Sequence, residues 1–355
     1  MAAVAPTGNG NGGSLWRRFL ALPDRYVYGG GFAVLLVVAL IFVSLWGTGV
    51  EPPENFFGIS ERLGGVCSDG ATPDNLGRAT SECVDTAIFW TTREGAFLFD
   101  AVSNAVLKFL LAVEKVFLWI PWPVLIIGVM LLGLRLAGPR IAIFSAATLA
   151  GLGALGLWPS AMETLALIVV AVTISIAIAI PMGIVIARSD TLDALLRPLL
   201  DAMQTMPSFV YLVPAVMFFG IGNVPAIFAT VIYAVPPAIR LTSLGIRQVS
   251  PGVVEAARSF GTTPRQLLWK VQIPMAVPTI MAGINQTTMM ALAMVVIASL
   301  VGAGGLGEDV NRALGRLEPG KALFGGIGIV VLAIIIDRLT QAAARERQQA
   351  LTGGH

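Results

Sequence analysis

Residues 250–274 read Ser250-Pro-Gly-Val-Val-Glu255-Ala-Ala-Arg-Ser-Phe-Gly261-Thr-Thr-Pro-Arg-Gln-Leu-Leu-Trp-Lys-Val-Gln-Ile-Pro274. They form a polar interruption between two long uncharged runs, Ala202–Ile239 and Val271–Gly307. The stretch specifies two short helices. Ser250 stands as N-cap with Pro251 at the first helical position. Thr263 caps a second helix opening at Pro264, and Gln266 completes a Thr-x-x-Gln capping box. Gly261 supplies the permissive backbone for a sharp bend between them. Pro274 is expected to limit the second helix, and Pro278 to begin the next apolar one. Two locally specified helices joined by a bend make a rigid elbow. Ala256 and Ala257 give it a low-relief surface that another protein can approach closely, with Glu255, Arg258 and Arg265 as polar anchors. A plain helical hairpin loop is the alternative reading of the same spacing.

The chain around the elbow is solvated by lipid. Of its 355 residues 56% are hydrophobic and 12% charged, where a soluble domain carries about 25% charged residues. Uncharged runs extend over Tyr26–Val50, Val116–Leu134, Ile141–Met162, Thr164–Ala187, Ala202–Ile239, Val271–Gly307 and Ala322–Ile336. A membrane helix takes about 20 such residues. The Ala202–Ile239 run reads as two spans split at Gly220-Ile-Gly-Asn-Val-Pro225. The tail Gly302-Ala-Gly-Gly-Leu-Gly307 is too rich in glycine for a lipid-facing helix and is expected to turn or to line a protein-enclosed cavity. Lys321 and Arg338 can snorkel at the ends of the short last run. The expectation is an all-α membrane protein of about eight transmembrane helices.

With both termini inside, the inner segments hold fifteen of the 23 basic residues and seven of the 21 acidic ones; the outer segments hold eight and fourteen. The Lys/Arg bias favours this orientation over its inverse. The Tyr26–Val50 run has basic residues ahead of it, as a signal peptide does. Its length, and the lack of a small-x-small cleavage site after Trp46, point to a retained anchor. Cys67 and Cys83 then lie in an outer polar loop, where a disulfide or two separate thiols are both open. No metal site is expected, because His355 is the only histidine.

Two amphipathic helices stand out. Leu192, Leu195, Leu196, Leu199, Leu200 and Met203 recur at helical spacing opposite Asp190, Asp193, Arg197 and Asp201, with Ser189 as N-cap. This helix is expected at the inner surface, packing there or contributing to a translocation path. A second, over Phe97–Phe117, is expected along the outer interface.

Here the elbow resembles the signature loop of permeases in binding-protein-dependent ABC importers. Glu255-Ala256-Ala257, Gly261, and Val271, Gln272, Ile273, Pro274 keep that loop's spacing, with two aliphatic exchanges. The resemblance implies a type I importer permease core (MetI-like) in which Glu255, Ala256, Ala257 and Gly261 dock into a groove on a cytoplasmic ATPase, with Pro264 and Pro274 shaping the elbow's second helix. Within that family the chain is similar to the glycine betaine/L-proline (osmoprotectant) subfamily over about Pro121–Ala342. That likeness rests on Asp201-Ala-Met-Gln-Thr-Met-Pro207, Phe219-Gly-Ile-Gly-Asn-Val-Pro225, Ala257-Arg-Ser-Phe-Gly261, Gly283-Ile-Asn-Gln-Thr287 and Ile336-Asp-Arg-Leu-Thr340.

The implied organisation is a cytoplasmic tail (1–25), an anchor helix (26–50), a periplasmic loop with interfacial helix (51–118), two transmembrane helices (119–158), the permease core (159–342) and a cytoplasmic tail (343–355). The implied setting is the bacterial inner membrane. The implied partners are an ATPase dimer carrying ATP and Mg, a periplasmic substrate-binding protein, a second permease copy and lipid, with no nucleic acid and no cofactor on this chain. The implied cargo is glycine betaine, proline betaine, proline, choline, carnitine or trimethylamine N-oxide, with another small polar solute as the alternative.

Gly315-Arg-Leu-Glu-Pro-Gly320-Lys321 imitates the start of a phosphate-binding loop, but Ala322 replaces the Ser/Thr that would hold magnesium and no strand precedes it. No catalytic constellation is readable. Asn285, Gln286, Thr287 and Thr288 lie deep in an apolar run, where interhelical bonding and path lining are both open. Met289, Gln204, Pro207, Phe209 and Tyr211 are the further path candidates. Phe218 and Phe219 join Phe209 and Tyr211 as aromatic faces able to attract a methylammonium cation, or as core. An ion-coupled secondary transporter is the rival class. It would need an intramembrane carboxylate, whereas the acidic residues here fall near helix ends or in loops.

Overall fold

The computed structural model describes residues 76–352, with side-chain surroundings for residues 83–343. The expected anchor helix at 26–50 and Cys67 lie outside the described residues. The chain divides into two compact units, Met1–Ala87 and Ile88–His355. Of the first, the described part is the start of α1 (Leu76–Glu94), which carries the disulfide-bonded Cys83.

The second unit holds the remaining elements. These are α2 (Ala96–Trp119), α3 (Trp122–Leu136), α4 (Pro139–Ala154), α5 (Trp158–Ala187), α6 (Asp190–Thr205), a 3-10 turn Ser208–Tyr211 leading into α7 (Leu212–Phe219), α8 (Asn223–Arg247), α9 (Pro251–Ser259), α10 (Pro264–Leu267), a π-turn Leu268–Gln272, α11 (Ile273–Ala298), α12 (Leu306–Gly315) and α13 (Pro319–Thr352).

Helices α5, α8 and α11 form the centre, with α8 buried along nearly its whole length. Small residues set their approach. A Cβ on Gly183 of α5 would lie 2.6 Å from the Thr242 Cβ and 2.8 Å from the Ile239 carbonyl oxygen. On Gly245 of α8 it would lie 2.9 Å from Thr279, and on Gly283 of α11 3.1 Å from the Ala238 Cα. Such contacts let membrane helices pack backbone against backbone. Thr287 adds a hydrogen bond from its hydroxyl to the Ala234 carbonyl (2.8 Å), next to the Pro236-Pro237 pair inside α8.

The end of the bundle away from the elbow is closed by turns. Gly220 (φ 76°) and Gly222 (φ 133°) reverse the chain between α7 and α8 as the sequence implies. The Gly222 N–H donates to the Val301 carbonyl at 2.8 Å, and the Gly304 N–H to Asn223 Oδ1 at 3.0 Å. The glycine-rich tail after α11 turns at Gly302 (φ 86°) and Gly305 (φ 91°). Thr164 Oγ1 accepts the Leu306 N–H at 2.8 Å and donates to the Ser160 carbonyl at 2.8 Å. Thr164→Val is therefore expected to strand a buried backbone N–H and to cost about 1–3 kcal/mol, visible as a lower midpoint of thermal unfolding in detergent.

Five described helices are long and apolar enough to cross a membrane, or six if the bent pair α6 and Ser208–Phe219 counts as one. Helices α3 and α4, of 15 and 16 residues, reach about 22–24 Å, short of the ~30 Å hydrocarbon core.

Several expectations need correction. The part of the Ala202–Ile239 run ahead of Gly220 is not one straight helix. Helix α6 continues through Thr205, and at Pro207 the chain bends by 107° into the short 3-10 turn and α7, because Met206, ahead of a proline, is extended (ψ 140°). The border between the Ile141–Met162 and Thr164–Ala187 runs falls at Leu155–Leu157, where Gly156 has φ 74°, so Glu163 is inside α5.

Helix α2 satisfies length and composition for a crossing, yet both its ends meet the bundle at the end away from the elbow. Phe99 stacks on Phe218 at 4.9 Å and meets Phe219 edge-on at 5.7 Å, just before the Gly220 turn. Phe117 packs among Leu152, Trp158 and Met162 beside the α4–α5 turn. It lies across that end of the bundle.

Candidate functional site

The elbow begins where α8 ends. Val253 and Val254 N–H groups donate to the Ser250 carbonyl at 3.0 and 3.2 Å, but the Ser250 side chain makes no cap. Pro251 has no N–H to offer, and its fixed φ starts the helix without one.

Helix α9 ends in a Schellman motif: the Thr262 N–H bonds the Ala257 carbonyl (3.3 Å) and the Gly261 N–H bonds the Arg258 carbonyl (2.9 Å). This closure requires the left-handed backbone of Gly261, which has φ 75°. The Thr262 hydroxyl adds a second bond to the Ala257 carbonyl at 2.8 Å. The capping box is complete, with Gln266 N–H to Thr263 Oγ1 at 3.3 Å and Thr263 N–H to Gln266 Oε1 at 2.9 Å. Every turn of the elbow is thus fixed by its own residues.

Beyond the box the sequence expectation fails in an instructive way. Pro274 does not stop the second helix and Pro278 does not start the next. Residues Pro264–Val301 are one continuous rod, 38 residues long, with Pro278 inside α11. The π-turn Leu268–Gln272 makes this possible. The Ile273 N–H reaches back five residues to the Leu268 carbonyl, which widens the ladder where the Pro274 ring would clash with a carbonyl four residues earlier.

Leu268 anchors the rod among Ile246, Ala276, Ile280, Ile180 and Ile184, at the ends of α5, α8 and α11. The tip is open. No residue of α9 is buried, Glu255, Ala256, Gly261 and Pro264 are exposed and Ala257 half-buried, and Phe260 stands 90% exposed.

The structure divides the path candidates. Tyr211 is buried, and its hydroxyl donates to the Met203 carbonyl at 2.6 Å, tying the α6–α7 bend. Phe218 and Phe219 are in the aromatic stack, Phe219 lying 4.0 Å from Phe228. Asn285 clasps α11 to α13, with its Nδ2 on Asp337 Oδ1 at 3.1 Å and its Oδ1 accepting from Thr340 at 2.7 Å. Gln341 reaches the same Asp337 oxygen at 2.7 Å. Thr288 donates to its own helix, at the Ile284 carbonyl. These groups bond between or within helices.

Gln286 and Met289 are different. With Ala282, Ala293 and Val296, and Leu300 in the 3-10 turn Ser299–Val301 that follows, they form an exposed stripe down one face of α11 at spacings of three and four residues. Helix α7, whose Leu212 and Ala215 pack with Met294, adds exposed Val213 and Met217, and the 3-10 turn before it adds Phe209. Pro207 is exposed at the bend and Gln204 half-buried in α6. Gln286 is the one polar side chain on the α11 stripe. Sequence reasoning named Gln286 and Met289 but missed the stripe, whose signal was the Ala282, Gln286, Met289, Ala293 period within an otherwise uniform apolar run. It also missed Asp337 as the partner of Asn285.

Comparison with known proteins accords with this architecture. Residues 179–348 match the family described as "Binding-protein-dependent transport system inner membrane component". The chain is 51% identical over 263 residues to the glycine betaine/proline betaine transport system permease protein ProW of Escherichia coli, covering 74% of each. It is 46% identical over 257 residues to the glycine betaine/carnitine transport permease protein GbuB of Listeria monocytogenes, covering 70% of this chain and 91% of that one. It is 42% identical over 261 residues to the glycine betaine transport system permease protein OpuAB of Bacillus subtilis, covering 74% and 93%. Among solved structures, an inward-facing MetNI methionine ABC transporter chain aligns with TM-score 0.50 at 23% identity, over 54% of this chain and 95% of that one, a likeness of fold.

Fold and relatives together define a multi-pass inner-membrane component of an importer, a translocating subunit with a MetI-type core. The chain belongs to the family of binding-protein-dependent ABC importer permeases, in its glycine betaine branch.

Proposed function

We propose that two copies of the chain enclose a path for a small quaternary-amine or betaine-type osmolyte: glycine betaine, proline betaine, proline, choline or trimethylamine N-oxide. A cytoplasmic ATPase dimer, holding ATP and Mg, binds the two elbows, and a periplasmic binding protein delivers the cargo. Both termini face the cytoplasm. One observation carries this reading: the elbow's second helix and the helix bearing the open stripe are a single rod, Pro264–Val301. A push on α9 passes through the Gly261 turn and the capping box into that rod.

Glu255, Ala256, Ala257 and Gly261 form the docking surface, Pro264 and Pro274 shape the rod behind it, and Phe260 supplies an apolar knob. On the path side, Gln286, Met289 and Phe209 offer polar, polarisable and aromatic contacts with no carboxylate among them. Such a surface attracts a methylammonium group by about 0.5–2 kcal/mol per aromatic contact, enough to guide the cargo and too little to trap it.

The experiment is uptake by proteoliposomes holding the permease, its ATPase and its binding protein. ATP inside is expected to drive accumulation of radiolabelled glycine betaine, with unlabelled proline, choline and trimethylamine N-oxide as competitors. Uptake that needs an ion gradient and ignores ATP would sink the proposal.

A further inference from the structure

At the foot of the elbow a cleft of about 430 Å³ opens between the ends of α5 and α8 and the two elbow helices. Arg188, Arg247 and Arg258 line it; Ile246, Val249 and Leu267 make it apolar below, and no carboxylate is among its lining residues. Arg247 is held by Asp190 at 2.5 Å and by the Ile186 carbonyl at 2.9 Å. Arg188 and Arg258 have no acidic partner among the described residues. They come from different elements, Arg188 from the end of α5 and Arg258 from the last turn of α9.

Two unneutralised guanidinium groups over an apolar floor, level with the ends of membrane helices, suit an amphiphile with a negative head. A free phosphate would use the rim and leave the floor bare. With the elbow on the cytoplasmic side, the negative potential of an anionic leaflet would attract the cleft's arginines by about 1 kcal/mol per basic residue near the surface, and guanidinium groups pair with phosphate through two parallel hydrogen bonds.

We propose that this cleft binds the headgroup of an anionic phospholipid from the cytoplasmic leaflet, its phosphate between Arg188 and Arg258 and its glycerol end on Ile246, Val249 and Leu267. The proposal rests on the reading that the elbow faces the cytoplasm. A lipid so placed bridges α9 to α5, so its occupancy stiffens the lever at its root.

The test is native mass spectrometry of the full-length permease released from nanodiscs of equal parts phosphatidylglycerol and phosphatidylcholine. Wild-type protein is expected to retain phosphatidylglycerol in excess. The excess should fall about fivefold for each arginine lost in R188Q and R258Q, survive largely in the R188K/R258K variant, and be untouched by R265Q, whose residue does not line the cleft. Sodium phosphate should not displace the lipid.

Equal retention of the two lipids, undiminished phosphatidylglycerol in the R188Q/R258Q variant, or displacement by inorganic phosphate would each overturn the assignment. Loss of ATPase co-purification in that variant with lipid retention unchanged would do the same, assigning the cleft to an acidic partner. Lipid retention requires neither ATP nor uptake, so this result and the transport experiment fail independently.

Discussion

Gly261→Val is expected to abolish ATP-driven uptake while leaving the permease inserted and folded, whereas Gly261→Asn keeps most of it. A Cβ at this position would meet nothing within 4 Å, so neither variant clashes with a neighbour. The difference lies in the backbone. At φ 75° an ordinary L-residue pays about 1–2 kcal/mol and a β-branched one more, while asparagine tolerates the left-handed region. Valine would release the paired bonds from Thr262 to Ala257 and from Gly261 to Arg258, and α9 would leave its direction relative to the rod. The core, anchored by Leu268 beyond the bend, would stay intact. Uptake in proteoliposomes, beside size-exclusion profiles of the purified variants, reads both halves. Unimpaired transport by Gly261→Val would show that the direction of α9 is immaterial.

Gly183→Leu is expected to have the opposite character: loss of the folded protein itself. The substituent would enter a space bounded by the Thr242 Cβ at 2.6 Å and the Ile239 carbonyl at 2.8 Å, and a main-chain atom cannot rotate away. Overpacking in a core costs about 1–3 kcal/mol where side chains can adjust; here α5 and α8 must separate along their shared length. Monodisperse yield should collapse. Gly128→Ala in α3 is the control, since a Cβ there meets nothing within 4 Å, and replacing a mid-helix glycine gains about 1 kcal/mol of helix propensity. Similar yields for the two variants would mean that α5 and α8 do not pack as described.

Much of this fold was legible because its decisive features are local. The Thr263–Gln266 box, the bend at Gly261, the Ser189 cap on α6 (Leu192 N–H to Ser189 Oγ, 3.3 Å) and the Gly220–Gly222 reversal each depend on residues a few positions apart. What escaped needed a neighbour from elsewhere in the chain or a rarer backbone solution. The roles of Asn285 and Tyr211 depend on Asp337 and on the Met203 carbonyl, 52 and eight residues away.

Pro274 carries the sequence signature of a stop, because proline ordinarily ends a helix. A five-residue π-turn before it removed that constraint, and the consequence is large, since it joins the elbow to α11. Proline at 207 acted in the reverse sense, cutting a run that hydropathy alone presents as unbroken. Hydropathy measures apolar length, whereas α6 and α7 are placed by a bend and by ion pairs such as Arg247–Asp190.

The lever built from residues 250–274 is tested most directly by spin labels on Met289→Cys in two copies of the permease, bound to the ATPase in nanodiscs, with the label-to-label distance read with and without ATP. A shift in that distance on adding ATP, lost in Gly261→Val and retained in Gly261→Asn, is the expected result. An equal shift in all three proteins, or none in any of them, would contradict transmission through the elbow.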